Sequence, residues 1–123
     1  MEIQPIKMGY VKRKKQRNKE TMKHSRITIH QNNGHDEVII AKAIKAATKS
    51  LDKRIGNLKK EHRQISESMM CVRIKLTMVE IGFAIDLSEV EIEFVGVFNG
   101  FANFIVTCED FDIEFKVTID MEG

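Results

Sequence analysis

Apolar residues recur at Ile40, Ile44, Ala47, Leu51, Ile55 and Leu58, with Ile65 beyond, at spacings of three and four. Such spacing draws one stripe along one side of an amphipathic helix. Asp36 can serve as N-cap, with Glu37 or a start nearer Ala41 as alternatives, and a helix over about 37–65 is roughly 40 Å long at 1.5 Å per residue. Gly56 interrupts it at about 1 kcal/mol relative to Ala, a place for a bend or break. Elsewhere the pattern alternates, as half-buried strands do. RITIHQ, residues 26–31, sets Ile27 and Ile29 on one face and Thr28 and His30 on the other, and an Asn- and Gly-rich turn follows at 32–36. Met70, Val72, Ile74, Leu76 and Met78 alternate with Cys71, Arg73, Lys75, Thr77 and Val79. Phe83 to Leu87, after the turn at Gly82, reads as a short strand or the first half of a longer one. Val90, Ile92 and Phe94 alternate with Glu89, Glu91 and Glu93. Asn99-Gly100 between apolar runs marks a hairpin. Phe101 to Cys108 is mostly apolar and suits a central strand covered on both faces. Phe111, Ile113, Phe115, Val117 and Ile119 alternate with Asp112, Glu114, Lys116, Thr118 and Asp120.

This order predicts an α+β fold: one long amphipathic helix packed on a mostly antiparallel sheet of about four to five strands. Helix on sheet is the economical way to bury both apolar faces. Ile44, Leu51 and Leu58 are expected to meet the strands that carry Ile74, Phe94 and Phe115. Residues 10–25 hold only Tyr10, Val11 and Met22 as apolar residues, too few to offset their ordering entropy. We therefore divide the 123 residues into a basic flexible arm over 1–25 and a single α+β domain over 26–123.

Charge changes the picture more than composition does. Residues 1–65 carry 17 Lys and Arg against 6 Asp and Glu, whereas residues 66–123 carry 3 against 12. The basic excess gathers at Lys12, Arg13, Lys14, Lys15, Arg17, Lys19, Lys23 and Arg26, and continues along the helix through Lys42, Lys45, Lys49, Lys53 and Lys59. This asymmetry points to a polyanion-facing end. Arg13, Arg17 and Arg26 would fork two phosphate oxygens and the lysines act as point charges, positioning the chain without reading bases. The plainer alternative is a solvated tail that aids solubility. The acidic half would repel phosphates. Glu89, Glu91, Glu93, Asp112 and Glu114 form a row suited to a basic protein surface, or simply one that deters edge-to-edge association.

Little else suggests chemistry. There is no Gly-rich phosphate loop, HExxH or GxSxG motif. The carboxylates fall on outward strand positions, where nothing pushes their pKa values apart. His30, His35 and Asp36 match no metal-ligand spacing and read as polar loop residues. Cys71 and Cys108 read as small hydrophobes on strands. No enzymatic activity, cofactor or metal is expected. Apolar stretches reach only about four residues, and no apolar leader segment follows the charged N-terminus. Together with reduced thiols, this suits a cytoplasmic protein without a membrane partner.

In organisation alone, a small α+β domain with a basic arm and an acidic half resembles phage-encoded inhibitors of host nucleic-acid machinery, anti-CRISPR proteins among them. The resemblance covers layout and transfers no site. The expected function is a non-enzymatic binding protein whose arm and helix face engage nucleic acid or a nucleoprotein complex. The alternative is a protein-directed inhibitor or assembly subunit acting through the acidic sheet. The long stripe also leaves Ile55 to Ile65 for a second copy, so a homo-oligomer is expected.

Overall fold

The computed structural model describes residues 22–122. Helix α1 (Glu37–Glu61) takes Asp36 as its N-cap, the earliest of the starts the sequence offers. The Asp36 carboxylate accepts the backbone N–H groups of Val38 and Ile39 at 2.9 and 3.3 Å, satisfying two of the orphan donors of a first turn. The helix continues through Gly56 without a break and ends at His62, where the backbone turns extended, short of the expected 65. Ile40, Ala47, Leu51, Ile55 and Leu58 are fully buried along its stripe.

The segment expected as the first long strand is instead a second helix, α2 (Glu67–Ile81). Its buried residues are Met70, Ile74, Thr77 and Met78, a helical spacing, while Val72 and Leu76 stand exposed. The alternation of apolar and polar types was thus misleading, because one polar residue faces in and two apolar ones face out. The boundary residues carry the helical signal. Ser66 caps the start by accepting the Met69 N–H at 3.3 Å. Gly82 ends the helix at φ +98°, and its N–H and that of Phe83 return to the Met78 carbonyl. A left-handed residue after the last turn is a common helix stop and suits Gly. Phe83 to Leu87 forms no strand. Phe83 is buried in the core, and a 3-10 turn spans Leu87–Glu89.

Four strands remain: β1 (Ser25–Asn32), β2 (Val90–Phe98), β3 (Phe101–Cys108) and β4 (Ile113–Asp120). They form one antiparallel sheet in the order β1-β4-β3-β2. Asn99 and Gly100 both take positive φ, 54° and 84°, as a two-residue hairpin requires. Each edge strand carries a bulge, between Ile29 and Gln31 in β1 and between Phe94 and Gly96 in β2. Ile29, in register with Phe115 just before the first bulge, is 37% exposed.

Both helices lie on one face of the sheet, α1 over β1 and α2 over β2. The core joins the α1 stripe to Met70, Ile74 and Met78 of α2 and to the inward row Ala102, Phe104, Val106, Cys108, Ile113, Phe115, Val117 and Ile119. Strand β3 is therefore covered on one face only. Phe101, Asn103, Ile105 and Thr107 look outward, where no described element covers them. Ile74 reaches the core from α2, not from a strand. Ile55 and Leu58 are buried within the single chain, so that part of the stripe offers no surface to a second copy.

Leu51 is wholly buried between helix and sheet. Replacing it with Ala should destabilise the fold by about 2–5 kcal/mol, read as a shifted midpoint in a denaturant melt at unchanged slope. Gly82→Ala should cost about 1 kcal/mol through its positive φ alone.

Candidate nucleic-acid interface

A helix that buries one stripe presents its opposite side to solvent. Lys42, Lys45, Lys49, Lys53 and Lys60 fall within about 80° of arc at ~100° per residue, almost diametrically opposite the buried stripe. All five are exposed. They make a cationic row roughly 27 Å long at 1.5 Å per residue.

The row borders a groove of about 690 Å³ lined by Lys23, His24, Lys49, Lys53, Lys59 and Lys60 together with Asp52, Gly56 and Asn57. One wall is the chain entering β1. The Asp52 carboxylate holds it there, accepting the His24 backbone N–H at 3.2 Å and the Ser25 hydroxyl at 2.7 Å. Ser25 is 2% exposed, so this bond satisfies a buried donor. The His24 carbonyl accepts the Asp120 N–H at 2.8 Å, tying the same residue to the end of β4. The His24 ring lies over Gly56, where a Cβ would come within 3.2 Å of Nε2. The glycine that the sequence marks as a weak point in α1 is the place where the ring approaches the helix. Lys59 Nζ sits 3.3 Å from His24 Nδ1 and donates to the Glu122 carbonyl at 2.8 Å. An ammonium only donates, so Nδ1 accepts and the ring is neutral in this arrangement. Burial first, then the Lys59 charge, hold the His24 pKa below 6.5, against the opposing pull of Asp52.

Of the basic residues singled out in the sequence, Lys23 lies in this groove. Arg26 does not. It pairs in register with Thr118 and is exposed on β1, one residue on from the inward Ser25, so it looks out from the other face of the sheet. Lys12, Arg13, Lys14, Lys15, Arg17 and Lys19 lie outside the described residues. The acidic set divides. Glu91, Glu93 and Glu114 gather with Thr107 and Ile105 on the outer face of the sheet. Glu89 instead accepts the Ile85 N–H at 3.0 Å and braces the loop before β2. Asp112 occupies the β3–β4 turn at φ +58° and accepts from the Asn33 amide at 3.0 Å. Glu109, which the sequence did not single out, faces Glu91, and hydrogen bonding and repulsion from that carboxylate raise its pKa.

The remaining candidates are structural. His35 stacks on Phe111 with ring centroids 4.5 Å apart and bonds the Phe111 carbonyl, pinning the β3–β4 turn. His30 lies 3.7 Å from Glu114. Cys71 falls on α2, not on a strand, while Cys108 is buried on β3, where desolvation pushes its thiol up to about 12. Among the described residues no cluster of His, Cys, Asp or Glu is arranged to hold a metal ion. No helix of the described residues is long and apolar enough to cross a membrane. The Asp52 anchor was invisible in the sequence, because a lone Asp among lysines looks like surface charge.

Asp52→Ala strands the buried Ser25 hydroxyl and should cost about 1–3 kcal/mol, measured by chemical denaturation. Because the folded state holds the His24 pKa low, the unfolded chain takes up its proton first as pH falls below 6.5. His24 therefore makes stability decline from about pH 6.5 down through its folded pKa. His24→Asn should flatten that part of the stability–pH curve. No protein-family model, no curated protein and no solved structure matches this chain.

Proposed function

We propose that this is a non-enzymatic binding protein that engages nucleic acid or a nucleoprotein complex through the lysine face of α1 and the basic N-terminal segment. One observation carries the reading. Lys23 and His24, which lead into β1, line the lysine groove with Lys49, Lys53, Lys59 and Lys60, and the basic run 12–19 precedes them in the sequence. A polyanion bound along α1 would therefore be within reach of both basic features. Ammonium groups on flexible stems suit phosphate contact without base readout, and their contribution is largely counterion release.

The experiment is a salt titration of duplex binding. With about six phosphates contacted, affinity should fall roughly a thousandfold between 50 and 200 mM salt. Lys49→Gln/Lys53→Gln/Lys60→Gln should lower the log–log salt slope by about 3 and leave the melting midpoint close to the parent's. Changing Lys12, Arg13, Lys14, Lys15 and Arg17 together to Gln should lower it further. A slope unchanged in both variants would refute the reading.

A second reading, contact with a basic protein surface through the acidic sheet, is favoured by the grouping of Glu91, Glu93 and Glu114 on one open face. Their joint replacement by Gln would then weaken a captured complex that the lysine variants leave intact.

A further inference from the structure

The outer face of the sheet is left uncovered by every described element. Near the Asn99-Gly100 hairpin it holds an apolar groove of about 530 Å³, lined by Val95, Phe98, Phe101 and Ile105, with Lys116 and His30 on its flank. Val95 is 50% exposed and Phe98 57%. Burying such side chains is favourable by about 25 cal/mol per Å². Further along the same face Glu91, Glu93 and Glu114 converge, with Glu109 beside Glu91. An occupant should therefore be apolar in one part and strongly basic in the next.

The chain itself contains such a segment. Residues 1–21 carry seven Lys and Arg against two Glu. Ile3, Ile6, Met8, Tyr10 and Val11 precede the basic run that starts at Lys12. The junction is also well placed. Ser25 pairs with Ile119 and Ile119 with Ala102, so the segment joins the sheet at the end that holds Phe101 and the groove. Its reach suffices. The ten steps from Lys12 to Met22 span up to about 33 Å when extended. A face of eight-residue strands, four strands wide, has a diagonal of roughly 30 Å. The α1 lysine row repels a cationic segment, whereas the glutamates attract it.

We infer that residues 3–17 dock across the outer face of their own sheet, with Ile3 to Val11 in the Val95–Phe98–Phe101–Ile105 groove and Lys12 to Arg17 over Glu91, Glu93 and Glu114. The sheet then competes with a polyanion for the basic run. The docking stands without the proposed function; the competition rests on it.

A nitroxide at Gln4→Cys in a Cys71→Ser background tests this on the full chain, because Cys108 is buried and unreactive. At low salt the amide signals of Val95, Phe101 and Ile105 should lose most of their intensity, and those of Lys49 and Lys53 should not. Glu91→Gln/Glu93→Gln/Glu114→Gln should restore the intensity while the far-UV spectrum stays unchanged. Docking is overturned if the signals keep full intensity in the parent, if the loss falls on α1, or if it appears between labelled and unlabelled molecules in a mixture. The last result would assign the face to a second copy. Adding a short duplex should restore the signals as it binds. A duplex that does not bind at all, with the intensity loss intact, counts against the nucleic-acid reading and supports the docking.

Discussion

A four-stranded sheet with one apolar face is the constraint from which the rest of this molecule follows. Four strands at about 4.8 Å spacing need cover nearly 20 Å wide once their side chains are counted. One helix, about 10 Å across, covers half of that. A second helix is required, and α2 supplies it by laying Met70, Ile74 and Met78 over the β2 side while α1 covers the β1 side. Arg54 of α1 and Glu80 of α2 bond across the helix pair, and Ser50 donates to the same carboxylate at 2.6 Å. With both helices committed to one face, the other face is left to whatever its polar and apolar residues attract.

This also explains which parts of the fold the sequence made legible. α1, the Asn99-Gly100 hairpin and β4 obey one strong local signal each, a stripe, a turn dipeptide and an alternation. α2 does not. Its Met, Val, Ile and Leu positions alternate with polar ones, and its helical identity resides in Ser66, Gly82 and the need to cover β2. The first two are local but quiet, and the third is a tertiary demand that no window of residues can express. The helix expected over 37–65 accordingly runs unbroken past Gly56 and stops at His62, and a second helix starts after Ser66 where a strand was expected.

The candidate site divides in the same way. Charge along α1 was readable because helical spacing alone decides which lysines share a face. The groove beside it depends on Asp52 gripping His24 and Ser25 from a distance of 28 and 27 residues. Likewise, the apolar groove on the outer face combines Val95, Phe98, Phe101 and Ile105 from two strands, and only the pairing register brings them together. Arg26 shows the opposite error. Adjacent in sequence to the basic cluster, it is carried to the other side of the sheet by the two-residue period of a strand.

The two bulges sit on β1 and β2, the strands at the edges, and none interrupts the central pairing of β3 with β4. A bulge breaks the regular ladder of donors and acceptors and increases local twist. An edge so distorted is a poor template for an incoming strand, so the sheet is closed to lateral growth at both ends without being a barrel. Fibrillar stacking by strand addition is thereby disfavoured, and partners are directed to the faces, where side-chain identity and not backbone geometry selects them.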